Sequence, residues 1–197
     1  MTSNRQQPAT VPSLERRSFE RISAPEAREV FDAFVRRHPA RIDSFLTVAG
    51  RRAGPVDALD FSLASLQALW SWFVPAHRPT WFSSDPYRMP VTPIATEDLR
   101  PGDPVPWWAA FHWPWYLEMG PHLADLVDGF SAYVFECMIR ARHGSEWRIG
   151  KGRSSANFQA PVLQLAGRGE CEYSVPIIAV LHGLRGLHGK QVPGALR

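Results

Sequence analysis

"PHLADLVDGFSAYVFECMIRARHG", residues 121–144, is the longest regular stretch of the chain, and its reading decides the fold. Leu123, Leu126, Val127, Phe130, Tyr133, Val134, Cys137, Met138 and Ala141 recur with the 3.6-residue period of a helix and trace one broad apolar stripe. Pro121 suits a first helical turn, where its missing N–H is no loss, and Gly144 suits a left-handed end. Phe135 and Ile139, spaced i, i+4, lie on the opposite face. A helix apolar on two sides needs cover on both. The broad stripe is expected to pack on a sheet, with Phe135 and Ile139 covered by helices from earlier in the chain, which makes this helix the central element.

Downstream the period changes to two. "EWRIG" (146–150) and "APVLQLAG" (160–167) alternate as strands around the polar loop "GKGRSSANFQ" (150–159), and "CEYSVPII" (171–178) gives a third strand. "IAVLHGLRGLHG" (178–189) closes the domain as a helix, despite the propensity cost of Gly183 and Gly186.

Upstream, "SAPE" sets Ser23 and Glu26 at capping-box spacing with Pro25 in the first turn, opening a helix with Val30, Phe31, Phe34 and Val35. Pro39 is expected to stop it. A short second helix then carries Ile42, Phe45, Leu46 and Ala49, with Gly54 as its left-handed cap. A third starts at the N-cap Ser62, lines one side with Leu63, Leu66, Trp70 and Phe73, and ends at Pro75. The proline-rich segment from Pro75 to Pro106 connects it to an aromatic stretch. Helices followed by a small meander make an α+β protein: N-terminal helices and a central long helix on a small antiparallel C-terminal sheet with a closing helix. The organisation is a tail over residues 1–22, one domain over 23–189 and a C-terminal tail over 190–197. The first tail is polar and interrupted by Pro8 and Pro12, with Phe19 and Ile22 as its docking points.

With 197 residues, 45% of them hydrophobic and 21% charged, the chain can bury a substantial core without staples. A formal charge of +3 does not point to nucleic acid. Two cysteines, Cys137 and Cys171, are too few for an oxidised scaffold and are read as free thiols in a reducing compartment. The N-terminus lacks the apolar core of a secretory signal, and no segment is apolar for long enough to span a bilayer. A cytoplasmic protein with no membrane association is expected. Abundant Arg, Ala, Pro and Trp fit a bacterium of high genomic GC content.

Candidate site residues fall in three groups. "PVPWWAAFHWPWYLEMG" (104–120) surrounds His112 with aromatics that include Trp107, Trp108 and Trp113. Stacking on single strands needs interleaved Lys or Arg, absent from Trp107 to Met119, so nucleic acid is not expected as a partner. Core wall, protein interface and small-molecule cage stay open for this stretch, with packing favoured. Glu136 and Arg140, spaced i, i+4, read first as a flank ion pair contributing about 0.3–0.5 kcal/mol. Their sharper reading is a buried anchor in which Glu136 accepts strand N–H groups. Arg148, Lys151 and Arg153 form a basic group able to meet an acidic partner. The seven histidines show no metal-binding spacing, "GKGRSSAN" has the wrong order for a phosphate loop, and no nucleophile motif occurs, so no cofactor or metal is expected.

The sequence "YVFECMIRARHGSEWRIGKG" (133–152) carries Tyr133, Glu136, Arg140, Gly144 and Trp147 in a pattern that resembles a module of uncharacterised bacterial α+β proteins. Some of these are encoded as immunity or accessory proteins of polymorphic toxin systems. Where such proteins often have glycine before the glutamate, this chain has Phe135. The resemblance covers about residues 121–188 and implies a binding or neutralising role toward another protein rather than catalysis. The alternative is an enzyme or small-molecule-binding protein with a pocket between residues 107–116 and the sheet, using His112 and Glu136 as polar groups. Oligomeric state is not legible.

Overall fold

The structure is a computed structural model and describes residues 22–77, 84–85, 87–89, 119–151, 158–172 and 174–185. Trp107, Trp108, His112, Trp113 and Arg153, the tail before Ile22 and the tail over 190–197 lie outside the described residues. The described elements are α1 (Ala24–Arg51), a 3-10 turn (Val56–Ala58), α2 (Leu63–His77), α3 (Pro121–Ala141), β1 (Glu146–Ile149), β2 (Pro161–Gln164), β3 (Glu170–Glu172) and α4 (Ser174–Arg185). The fold is α+β. None of the described helices is long and apolar enough to cross a membrane.

The start of α1 is the capping box that the sequence announces. Ser23 Oγ accepts the Glu26 N–H, and the Ser23 N–H donates to the Glu26 carboxylate at 2.8 Å. Pro39, however, does not end the helix, which runs through it as one element of 28 residues. The buried series Phe34, His38, Ile42, Phe45, Ala49 continues across the proline without a break. Burying that stripe against α3 offsets the cost of about 3 kcal/mol that proline imposes in a helix interior. The Arg41 guanidinium donates to the Phe34 carbonyl at 2.5 Å, one residue before the Val35 carbonyl that Pro39 leaves without its helical donor.

The end of α1 corrects a second expectation. The left-handed residue is Ala53, at φ 55°, not Gly54. Gly54 N–H bonds to Ala49 O at 2.8 Å and Ala53 N–H to Gly50 O at 3.3 Å, the paired bonds of a Schellman end. Gly54 is required for a different reason: a Cβ there would meet Ala49 O at 2.9 Å.

Helix α2 begins at its Ser62 cap, whose Oγ accepts the Ser65 N–H at 3.1 Å. Its buried side is Leu66, Leu69 and Phe73, whereas Leu63 is 72% exposed. Pro75 lies inside the helix, which ends two residues later at His77.

Helix α3 is buried on nearly every side from Leu123 to Phe135. It crosses α1 closely at Gly129, where an added Cβ would lie 2.4 Å from Phe45 Cβ. Phe130 packs on Phe45 at 6.0 Å and Phe73 at 4.8 Å between ring centroids, and Tyr133 stacks on Phe61 at 4.7 Å. Phe135 instead packs 4.9 Å from Trp147 on β1. The central position of the helix is as expected, but its faces are exchanged: Phe130 and Tyr133 of the broad stripe meet the helices, and Phe135 meets the sheet. The reason is one of area. Phe34, Phe45, Leu69 and Phe73 present far more apolar surface than a sheet of three short strands.

Gly144, at φ 85°, follows the end of α3 and lets the chain return as β1. The strands pair antiparallel in the order β1-β2-β3, and Trp147, Leu163 and Cys171 form one cross-strand row. The third strand is shorter than expected, and α4 begins earlier, at Ser174. Pro176 explains this, since a residue without an N–H suits a first helical turn better than a strand. Gly183 lets α4 approach α2, because a Cβ there would be 2.9 Å from Trp70 and 3.0 Å from Val74. Finally, Gln159 Nε2 donates to Ile22 O at 2.8 Å, so Ile22 is indeed a docking point, held by the hairpin.

Candidate functional site

Glu136 and Arg140 lie one turn apart on the flank of α3, and Arg140 Nε donates to Glu136 Oε1 at 2.8 Å. The pair is not merely a solvent-facing one. The Glu136 side chain is 22% exposed, and its second oxygen, Oε2, lies 3.4 Å from His38 Nε2 on α1. The expected strand N–H groups are replaced by this imidazole, because α1 rather than the sheet backbone lies alongside that flank.

His38 occupies the joint between α1, α3 and β1. It is 6% exposed, and its ring sits edge-on to Trp147 at 5.4 Å. Burial drives its pKa down to about 4, and the nearby Arg41 charge pushes it the same way, while Glu136 pulls against both. The ring is therefore neutral at neutral pH. The 3.4 Å approach of Nε2 to Glu136 is longer than a charge-assisted hydrogen bond, and among the described residues neither ring nitrogen has a hydrogen-bond partner. Arg41 continues the network inward: its guanidinium lies 3.7 Å from the buried Asp128 carboxylate and 4.3 Å over the Phe34 ring.

On the other side of Glu136, the Arg140 guanidinium lies 3.8 Å over the Phe61 ring, and Phe61 stacks on Tyr133. Phe61 is held at φ 64°, an uncommon conformation for a bulky side chain. Its N–H donates to Tyr133 Oη at 3.0 Å, and Tyr133 Oη also shares a hydrogen bond of 2.7 Å with Ser65 Oγ. The hydroxyl of a central aromatic thus fixes the loop before α2.

This arrangement has limited chemical capacity. A neutral imidazole beside a carboxylate resembles a base and its orienting group, but among the described residues no activated nucleophile accompanies them. The neighbouring Cys137 thiol is buried, and its pKa is pushed up to about 12 by desolvation and by Glu136, so it is no thiolate at neutral pH. Burial likewise raises the Tyr133 phenol. Among the described residues, no group of three or more His, Cys, Asp or Glu is placed to hold a metal ion.

Of the other sequence-derived candidates, Arg148 is exposed on β1 and pairs with Glu146 of the same strand. Lys151 is exposed just beyond it. The structure therefore brings together Glu136 and Arg140, leaves Arg148 and Lys151 each exposed apart from that pair, and has Trp107, Trp108, Trp113, His112 and Arg153 outside the described residues. Sequence reasoning missed His38, Arg41 and Phe61. Only the adjacency of His38 to Pro39 within a buried i, i+4 series could have marked the first.

No family model, curated protein or solved structure matches this chain.

Proposed function

We propose that the chain is a non-catalytic, cytoplasmic binding protein that acts through another protein, in the manner of an immunity or accessory factor. One observation supports this reading above the others: Glu136, the one carboxylate among the sequence-derived candidates, is taken up in a joint between elements. Arg140 neutralises it on one side, and an imidazole too buried to protonate near neutral pH packs against it on the other. Partner recognition then falls to exposed charge, supplied by Arg148 on β1 and Lys151 just beyond its end, with Arg153 following in sequence.

The test is co-expression with the product of the neighbouring gene. A 1:1 or higher-order complex on size exclusion, with a rise in melting temperature, is the expected outcome. Arg148→Glu with Lys151→Glu should weaken that complex by about tenfold or more and leave the free chain's melting temperature unchanged. The reading is overturned if no neighbouring product binds and a metabolite instead stabilises the chain alone while perturbing Trp107, Trp108, His112 and Trp113.

A further inference from the structure

A cavity of about 150 Å³ opens between α1 and α3, away from the Glu136 joint. Ser44 and Phe45 of α1, His122 and Asp125 of α3, and Tyr87 contribute to its wall. The Tyr87 wall is fixed from behind. Its N–H donates to Asp85 Oδ1 at 2.9 Å, Asp85 is held by both terminal nitrogens of Arg52, and the Arg52 guanidinium lies 4.8 Å over the Tyr87 ring. That backing pair is neutral in sum, so it sets shape rather than charge. The Tyr87 ring lies 5.7 Å from the His122 ring, which closes one side.

The charge in this cavity comes from Asp125. It is reached by solvent, yet among the described residues it has no hydrogen-bond or ion-pair partner. The protein around it and the neighbouring Asp128 raise its pKa to about 7. Asp128 has its own counter-charge in Arg41. An unpaired carboxylate crowded by protein, beside a hydroxyl and two aromatic rings, is the chemistry that receives a cation.

We propose that this cavity is a binding site for a small organic ammonium ion, with the Asp125 carboxylate as its counter-ion, the Ser44 hydroxyl as a hydrogen-bond acceptor and Tyr87 and Phe45 as its apolar walls. Volume limits the ligand. A cavity of this size accommodates about six non-hydrogen atoms, the dimensions of benzene. The site is independent of the protein partner proposed above and lies on different residues.

The experiment is an amide-resolved NMR titration of the full chain near pH 8, where Asp125 is ionised, with ethanolammonium, tetramethylammonium and acetate as separate probes. Saturable shifts confined to amides of residues 44–48, 87–88 and 122–126 are expected for ethanolammonium, with a Kd of about 1–10 mM for so small a ligand. Acetate should produce none. Asp125→Asn, at an exposed and unpaired position, should keep its melting temperature and weaken ethanolammonium by about tenfold or more; Ser44→Ala should weaken it by less. Tetramethylammonium has the charge but no N–H to donate, so a response as strong as that to ethanolammonium would overturn the role of Ser44 as acceptor, while the role of Asp125 rests on the Asp125→Asn variant. Unsaturable shifts, shifts elsewhere, binding of acetate, or undiminished binding by Asp125→Asn would each overturn the site.

Discussion

His38 and His77 carry the clearest titration consequence in the molecule. Both rings are buried, and burial holds both pKa values at about 4 against 6.5 for a free imidazole. His77 Nδ1–H donates to the Phe73 carbonyl at 2.7 Å, so the neutral Nδ1–H tautomer already satisfies that contact. Below pH 6.5 the unfolded chain takes up protons that the folded rings refuse, and stability falls. The contribution is complete above pH 6.5 and is lost as pH drops toward 4, by at most about 3 kcal/mol for each ring. Urea unfolding from pH 7 to 4 should show this decline, and His38→Leu should flatten it by close to one proton. An unchanged slope in His38→Leu would mean that the ring is solvated in the folded state. At this scale the sequence was legible only locally. Glu136 and Arg140 are one helical turn apart, so their spacing announces the pair, whereas His38 meets Glu136 across two helices and no local pattern encodes that contact. The imidazole also replaced the strand N–H groups expected there.

Among the elements, period and capping were the reliable signals, and proline was the misleading one. Ser23 with Glu26, Ser62, Pro121 and Gly144 mark ends through local hydrogen bonds or backbone freedom, which a sequence states directly. Pro39 and Pro75 failed as stop signals because tertiary burial of Phe34 through Ala49, and of Phe73 through His77, outweighed a local penalty. Gly129 is the element-scale position with the sharpest consequence. Its missing Cβ allows α1 and α3 to cross with Phe45 Cβ and the Arg41 carbonyl in van der Waals range. Gly129→Ala, despite the better helix propensity of alanine, should therefore cost about 2–3 kcal/mol or more through forced separation. Gly169→Ala, where an added Cβ meets nothing within 4 Å, serves as the neutral control. A neutral or stabilising Gly129→Ala would show that the helices do not cross there.

For the molecule as a whole, the order of layers was legible, but the assignment of faces was not. Two apolar sides on α3 require two covers, and that requirement follows from periodicity alone. Which cover takes which side depends on the total apolar area of each layer and on the direction in which Gly144 returns the chain, and neither is a local property. The helices bury the larger side, and the sheet reaches α3 through Trp147, which is half-buried and touches Phe34, His38 and Phe135. That single side chain connects the Glu136 joint to the sheet, so the non-catalytic reading of the joint depends on its position. A double-mutant cycle between Phe135→Leu and Trp147→Leu, followed by urea unfolding, tests it most directly. The expected coupling is about 0.5–1.5 kcal/mol, with none between Phe130→Leu and Trp147→Leu. Coupling of Trp147 to Phe130 and none to Phe135 would put the sheet on the broad stripe and contradict the architecture.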